Sequence, residues 1–253
     1  RDLQHVQTRE LPSDGLTMTV QWNPARMVST GAKIDRQTLE KRPCFLCEQN
    51  RPEQQMKMMV NNGYDLLVNP FPILPVHFTI PAKKHQPQQI MRMYPEIYKL
   101  LTENPEMMIF YNGPKCGASA PDHAHLQAGS KGVIPLQKEW QRLSRNLTPV
   151  VDKGDGEGLF FVADHPCAAF LIRSHSAETD GLLFHQLYHA LPQREGETEP
   201  MMNIISWMQD DDVVTVVLPR KKHRPDCYTE EGDEQLIVSP GALDMAGLII
   251  TPR

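Results

Sequence analysis

The segment GASAPDHAHLQAG, residues 117–129, places His123, His125 and Gln127 at every second position. Alternate side chains of a β-strand project from the same face, so a strand here would present these three groups together. A neutral imidazole carries a lone pair near pH 7 and can attack phosphorus, while an amide can donate to a phosphoryl oxygen. The spacing therefore predicts a strand with nucleophilic chemistry on one face.

The residues just before this strand are small. Gly117 and Ala118 allow backbone N–H groups to approach a phosphate closely, and Ser119 adds a hydroxyl donor. We therefore predict that residues 117–119, called the phosphate loop below, bind phosphate. A histidine on a decorated surface strand, or a core histidine satisfied by its neighbours, is the alternative interpretation, and the combination of loop and strand disfavours it.

A second group of reactive residues is Cys44-x-x-Cys47 in the segment RPCFLCEQNRPE. Two thiolates at this spacing can bind one metal ion, and Zn²⁺ favours four Cys or His ligands in a tetrahedral array. His123 and the histidines that flank the preceding strand, His77 and His85, are the candidates for the remaining ligands. Two packing cysteines or a redox pair are the alternatives, although a redox motif normally opens a helix in a βαβ pattern.

The rest of the chain must supply strands and helices that position these groups. Short apolar stretches predict two strands within 64–81, one over 107–112 and a hairpin over 203–219. Helical spacing of apolar residues predicts one helix after residue 90 and others over 134–147 and 181–191. Many short strands with interspersed helices indicate an α+β fold with a mainly antiparallel sheet.

An internal similarity suggests that the chain is built from two halves. IPAKKHQP at 80–87 and LPRKKHRP at 218–225 share five of eight residues, and each follows a β-branched strand. We expect one domain over 1–253, made of a catalytic half over 44–147 and a degenerate second half over 148–253. The second half has no His-x-His-x-Gln pattern.

Composition excludes several classes of protein. The net charge of −5 argues against a general nucleic-acid coat, and no apolar run approaches the roughly 18 residues that suggest a membrane span. The five cysteines, two of them in the Cys-x-x-Cys pair, fit a reducing cytoplasmic compartment better than a disulfide framework. Since the chain starts at Arg1 without a methionine and stops at Arg253 soon after GLIIT, we expect it to be trimmed at both ends.

Several motifs match a known superfamily. YNGPKCGASAPDHAHLQ resembles the active-site motif of the histidine-triad (HIT) superfamily, in the branch where Gln replaces the third histidine. That branch contains hexose-1-phosphate uridylyltransferases (GalT-like proteins), diadenosine tetraphosphate phosphorylases and GDP-hexose phosphorylases. PVHFTIPAKKHQPQQI resembles the strand and turn before the first long helix of these families, and PCFLCEQNRPE is similar to the zinc knuckle of the uridylyltransferases.

The resemblance implies a duplicated α+β unit with antiparallel half-barrel sheets flanked by helices. It implies that His125 is the nucleophile that attacks the α-phosphorus and that Gln127 holds a non-bridging phosphoryl oxygen. Asn112 and Ser119 would contact phosphates as part of the same site, together with the rest of the phosphate loop.

The resemblance also implies a structural zinc ion, bound by Cys44, Cys47, His85 and His123. His77 is either the alternative to His85 in this ligand set or an inward-facing residue of the preceding strand. Zinc-knuckle cysteines are typical of the uridylyltransferases, whereas the GAS…HLQ motif is nearer to the phosphorylases, so the sequence combines marks of two subfamilies.

One position departs from the superfamily pattern. Four residue steps separate Ser119 from His123, where the pattern has three, because Asp122 is inserted. The inserted carboxylate makes the role of Ser119 less secure, and we consider that Asp122 orients His123 or His125 instead.

The motifs together predict a nucleotidyltransferase or phosphorylase that acts through a covalent nucleotidyl-histidine. Its substrate would be a nucleoside diphosphate sugar or a dinucleoside polyphosphate, with inorganic phosphate or a sugar 1-phosphate as the second substrate. The alternatives are a hydrolase, a uridylyltransferase proper, and a non-catalytic nucleotide-binding module stabilised by zinc.

Overall fold

The computed structural model of the protein describes residues 2–13 and 15–252. The strands are β1 Gln7–Leu11, β2 Met18–Trp22, β3 Lys57–Met59, β4 Asp65–Val68, β5 His77–Pro81, β6 Met107–Asn112, β7 His125–Ser130, β8 Leu147–Gly154, β9 Glu157–Val162, β10 Phe170–Ser174, β11 Met202–Gln209, β12 Asp212–Pro219 and β13 Leu248–Thr251. The α-helices are α1 Met27–Thr30, α2 Arg36–Lys41, α3 Ile90–Glu103, α4 Pro135–Lys138, α5 Trp140–Leu143, α6 Ala177–Ala190 and α7 Ala242–Met245. Short 3₁₀ helices cover Asp2–His5, Pro24–Arg26, Glu48–Asn50, Asp226–Tyr228 and Gly232–Glu234.

Ten strands form one continuous sheet in the order β3-β4-β5-β7-β6-β11-β12-β10-β9-β8. Every pairing in this sheet is antiparallel. Outward from the central pair β6 and β11, both halves of the sheet have the same order, and each half contains a 14-residue helix, α3 or α6. The predicted α+β class with antiparallel sheets flanked by helices is confirmed, and the two half-sheets join edge to edge.

The two similar basic segments do not occupy equivalent places in these halves. Residues 80–87 begin in the last two residues of β5, the third strand of the first half, whereas residues 218–225 begin in the last two residues of β12, the last strand of the second half. Their similarity is therefore separate from the repeated strand order. A basic turn after a β-branched strand recurs here at two unrelated positions of the sheet.

Two apolar layers cover the sheet. On one face, α3 and α6 pack side by side over Ile80, Leu126 and Ile204, and the rings of Tyr94 and Phe184 stack with centroids 3.6 Å apart. On the other face, helices α4, α5 and α7 and the small sheet β1-β2-β13 cover the second half. In the described residues, none of the helices is both long enough and apolar enough to cross a membrane.

The predicted helix over 134–147 is replaced by two short helices, α4 and α5, which meet at Glu139. The Glu139 backbone leaves helical geometry, with φ −97° and ψ 9°. Its carboxylate accepts a hydrogen bond from the backbone N–H of Thr17 at 2.9 Å, which ties this junction to the residue before β2.

Candidate active site and metal cluster

His125 is the first residue of β7, and its imidazole is held in one tautomer. Nδ1–H donates to the backbone carbonyl of His123 at 2.7 Å, which leaves the lone pair on Nε2. No hydrogen-bond partner for Nε2 occurs within residues 2–13 and 15–252. Burial lowers the pKa of His125 to about 4, so the ring is neutral at pH 7. A neutral imidazole with a free Nε2 lone pair is what a nucleophile requires.

Gln127 follows on the same face of β7, and the neighbouring strand β5 fixes its amide. The backbone N–H of Ile73 donates to Nδ1 of His77 at 3.1 Å, so the proton of this neutral ring is on Nε2. Nε2–H then donates to Oε1 of Gln127 at 3.0 Å. Burial lowers the pKa of His77 to about 4 and keeps this arrangement neutral. With its oxygen engaged, Gln127 has its NH₂ group left to donate to a ligand.

His123 does not share the strand face predicted for it. It lies in a bend before β7, which begins at His125. Ala124, Leu126 and Ala128 pack into the core under α3, as the alternation predicts. The two histidines therefore face different environments although they are two residues apart.

Asn112, at the end of β6, is also oriented by its oxygen. Oδ1 accepts from the backbone N–H of Ala242 at 2.7 Å and from Nδ2 of Asn203 at 3.0 Å. As in Gln127, the acceptor is engaged and the NH₂ group is the donor left for a ligand.

The phosphate loop packs backbone against backbone on the C-terminal segment. Gly117 has a φ of +90°, and a Cβ atom there would lie 2.6 Å from Cα of Gly241. Only glycine fits this close approach and this left-handed conformation. The loop and Asn112 are thus both anchored on the residues that open α7.

The inserted Asp122 has a different partner from the one expected. Its carboxylate accepts from the Arg42 guanidinium at 2.8 Å, and the same guanidinium donates to the Ser119 carbonyl at 3.1 Å. The expectation that Asp122 orients His123 or His125 is therefore wrong. The extra residue lets Arg42 bridge the two ends of the lengthened loop.

The Cys and His residues form a compact cluster in front of this loop. The Sγ atoms of Cys44 and Cys47 and the Nδ1 atoms of His85 and His123 all lie within 4.8 Å of one another. Nδ1 of His123 is 3.3 Å from both Cys44 Sγ and His85 Nδ1. A tetrahedral zinc site separates its ligand atoms by about 3.3–3.8 Å, given Zn–N and Zn–S bonds of about 2.0 and 2.3 Å.

The outer contacts of the cluster also suit a metal. His123 donates Nε2–H to the carbonyl of Ala82 at 2.7 Å, which leaves Nδ1 free to act as a ligand. His77 is outside the group, because its two nitrogens contact Ile73 and Gln127. The residues present therefore fit a Cys₂His₂ zinc site, and His85 completes the cluster.

A cavity of about 450 Å³ lies against β7 and the phosphate loop. Its lining includes every residue predicted for catalysis or phosphate binding: Asn112, Gly117, Ala118, Ser119, His125 and Gln127. Phe45, Phe71 and Ile250 add apolar surface to its walls. Arg42 lines both this cavity and the cleft beside the metal cluster, so the two predicted sites are neighbours.

Two further side chains contact the predicted site residues. The sequence suggests His77 as a metal ligand or as an inward-facing strand residue, and it does not single out Arg42. The antiparallel pairing places Thr79 opposite Gln127. His77 lies two residues before Thr79 on the same face of β5, which brings it close to that glutamine, and this alternation could have been read from the sequence. Arg42 offers no comparable signal, since its guanidinium donates to Ser119 and Asp122, which are about 80 positions away in the chain.

A family model for a domain of unknown function, DUF4922, matches residues 1–130. No curated protein is similar in sequence at a significant level. Yeast Ap4A phosphorylase Apa2 in complex with AMP has a TM-score of 0.61 at 18% identity, over 98% of this chain and 81% of that chain. The same enzyme in complex with Ap4A has a TM-score of 0.60 at 15% identity, over 98% and 82%.

An ADP-glucose phosphorylase from Arabidopsis thaliana with bound ADP-glucose has a TM-score of 0.44 at 13% identity, over 96% of this chain and 98% of that chain. At these identities the similarity to Apa2 establishes a shared fold. The fold that the resemblance to the histidine-triad superfamily implied is confirmed.

Proposed function

The chain belongs to the DUF4922 family, and from the geometry of its cavity we propose that it is a phosphorylase-type nucleotidyltransferase acting through a nucleotidyl-histidine. The observation that carries the proposal is the meeting of two groups in one cavity. These are a buried, neutral His125 with a free Nε2 and a Gln127 amide whose donor end is unoccupied. An attacking group and a donor for the charge that develops on phosphorus are the two requirements of such a step.

The first step is an in-line displacement at the α-phosphorus. Nε2 of His125 forms the new N–P bond, the bond to the bridging oxygen breaks, and the leaving phosphate takes the electron pair. The proton on Nδ1 stays hydrogen-bonded to the His123 carbonyl, which stabilises the ring as it gains positive charge. In the second step an oxygen of inorganic phosphate or of a sugar 1-phosphate displaces the imidazole.

Three sets of donors surround the position of the transferred phosphoryl group. Gln127 and Asn112 each offer an NH₂ group, and the phosphate loop offers backbone N–H groups and the Ser119 hydroxyl. Donors that are already oriented before the reaction lower the barrier because they need no rearrangement as charge develops.

Cys44, Cys47, His85 and His123 would hold a zinc ion. Such an ion supplies a rigid cross-link between the Cys-x-x-Cys turn and the start of β7. His123 would thereby fix the backbone carbonyl that orients His125.

The substrate class we propose is a nucleoside diphosphate sugar or a dinucleoside polyphosphate. The shared fold with an enzyme solved with AMP and with Ap4A supports a nucleotide ligand and makes Ap4A the first compound to test. The apolar walls formed by Phe45, Phe71 and Ile250 suit a nucleobase.

The test is to incubate the protein with Ap4A, and separately with nucleotide sugars, labelled at the α-phosphorus. We expect a covalent adduct in the wild type that is discharged by inorganic phosphate and is absent in His125→Ala. His189→Ala, an exposed histidine on α6, is the matched control and should behave as wild type. Full turnover by His125→Ala would refute the nucleophile, and saturable nucleotide binding without adduct or product would identify a non-catalytic binding module.

A further inference from the structure

The two strands that carry the site separate where the site begins. β6 and β7 pair from Met107 opposite Ser130 to Phe110 opposite Gln127. In the same register the last facing pair would be Asn112 and His125, but the pairing stops before them. Each of these two residues remains paired with its other neighbour, Asn112 with β11 and His125 with β5.

The side chain of Gln88 fills the gap between them. Its Oε1 accepts from the backbone N–H of His125 at 2.8 Å, and its Nε2 donates to the carbonyl of Asn112 at 2.9 Å. Nε2 also donates to the carbonyl of His125 at 3.0 Å. A direct strand pair would join the N–H of one residue to the carbonyl of the other, so the carboxamide is inserted into that bond.

Gln88 is itself immobilised. It has no exposed surface, and its backbone N–H donates to the carbonyl of Pro121 at 3.0 Å. Gln89 comes directly after Gln88 and precedes Ile90, the first residue of α3, so Gln88 is attached to the start of that helix. The width of the gap is thus set by a buried, fully hydrogen-bonded side chain.

We infer that Gln88 is a positioning residue that sets the separation between the nucleophile His125 and the phosphate donor Asn112. This inference rests on the proposed function for its catalytic meaning. If the carboxamide is lost, the backbone N–H of His125 and the carbonyls of His125 and Asn112 lose their partners, and the ends of β6 and β7 are no longer held at a fixed distance. The resulting displacement moves Nε2 of His125 relative to the Asn112 amide, and misplacement by about 1 Å costs about 100-fold in rate.

The experiment compares Gln88→Met and Gln88→Glu with the wild type. Methionine retains the length and loses all three hydrogen bonds, whereas glutamate retains the acceptor for His125 N–H and loses the donors. We expect the rate of adduct formation from Ap4A to fall about 10- to 100-fold in both, with the dissociation constant for AMP changed less than about 3-fold. Gln89→Met is the control, because within the described residues the Gln89 amide donates only to the Thr198 carbonyl, at 3.4 Å.

A second measurement does not depend on activity. Amide hydrogen exchange at His125 should be at least about 10-fold faster in Gln88→Met, with exchange at Ala128, in the paired part of β7, unchanged. This readout also identifies a Gln88→Met variant that has lost its fold, since exchange would then accelerate at both positions. In that case the rate of adduct formation by Gln88→Glu decides, because this variant retains the acceptor for His125 N–H and loses only the two donated bonds.

The outcomes separate the two ideas. A wild type that forms no adduct with Ap4A or nucleotide sugars refutes the proposed function, and the exchange data then decide on Gln88 alone. A wild type that forms the adduct, with both Gln88 variants at the wild-type rate, overturns the positioning role and leaves the proposed function intact. Unchanged exchange at His125 in Gln88→Met overturns the inference in either case.

Discussion

Glu199 offers the sharpest test of how burial controls ionisation in this protein. Its side chain is 2% exposed and lies under the start of α3, where one carboxylate oxygen accepts from the backbone N–H of Ile90 at 2.8 Å. The other oxygen accepts a hydrogen bond from the Tyr111 hydroxyl. No cation pairs with it among the described ion pairs, and burial raises its pKa from 4.5 to about 7.

The sign and size of the effect follow from this shift. Below pH 4.5 the carboxyl is protonated in the folded and the unfolded chain, and its full contribution to stability is present. As the pH rises toward 7, the unfolded chain ionises first, so the free energy of unfolding falls. At about 1.4 kcal/mol for each pKa unit, the loss between pH 5 and pH 8 is about 2.5 kcal/mol.

Glu199→Gln removes the ionisation and retains the shape. The amide oxygen can accept from Ile90 N–H, and the NH₂ group can donate to the Tyr111 oxygen. Because Tyr111 changes from donor to acceptor, we expect a constant offset of about 1 kcal/mol. On top of this offset, the variant should gain about 2.5 kcal/mol relative to the wild type between pH 5 and pH 8.

The assay is urea unfolding, followed by tryptophan fluorescence at unit pH intervals from 5 to 8. The difference between the two proteins is the quantity to compare, because other groups titrate equally in both. Glu195→Gln removes the same charge from the exposed part of the same loop and should change the unfolding free energy by less than about 0.5 kcal/mol. A difference between Glu199→Gln and wild type that does not vary with pH would refute the reasoning.

Two further predictions concern the metal cluster and the phosphate loop. Purified protein should contain about one zinc per chain, and Cys47→Ser should lose it, together with at least about 3 kcal/mol of stability in urea unfolding. Gly117→Ala should cost more than about 2 kcal/mol by the same measurement and lower nucleotide binding, because its Cβ would overlap Gly241 in a left-handed backbone.

Both predictions have matched controls in the chain. Cys167→Ser alters an exposed cysteine outside the cluster and should leave metal content unchanged. Gly132 also has a positive φ, +81°, but a Cβ at this position would meet no atom beyond its chain neighbours within 4 Å. Gly132→Ala should therefore show the conformational cost of about 1 kcal/mol alone. Metal-free wild type with unchanged stability, or equal costs for the two glycine variants, would contradict these expectations.

The sequence predicted those parts of the site that depend on spacing along the chain. Period-two alternation placed His125 and Gln127 on one face of β7, with Leu126 on the core face. The short Cys-x-x-Cys spacing, together with two histidines, predicted a metal site. The structure brings the four ligand atoms within 4.8 Å of one another. In both cases the geometry follows from local backbone periodicity.

What could not be predicted depends on register and on contacts between distant segments. The tautomer of His77 is set by Ile73, and its contact with Gln127 exists only because β5 pairs with β7 in one register. Gln88 is inconspicuous in sequence, since its role arises from a bond that two other strands do not form. The helix predicted over 134–147 is divided at Glu139, and the contact of this residue with the backbone N–H of Thr17 joins segments that lie far apart in the chain.

The two half-sheets have the same strand order, but the side chains on their corresponding faces differ. β12 occupies in the second half the place of β7 in the first, but on the corresponding face it presents Val214, Val216 and Leu218. Trp140 and Leu143 of α5 belong to the apolar cluster that fills the space over these valines. Among the described residues, the same strand order therefore gives two different faces: β7 lines the cavity with His125 and Gln127, whereas the equivalent face of β12 is buried under apolar packing.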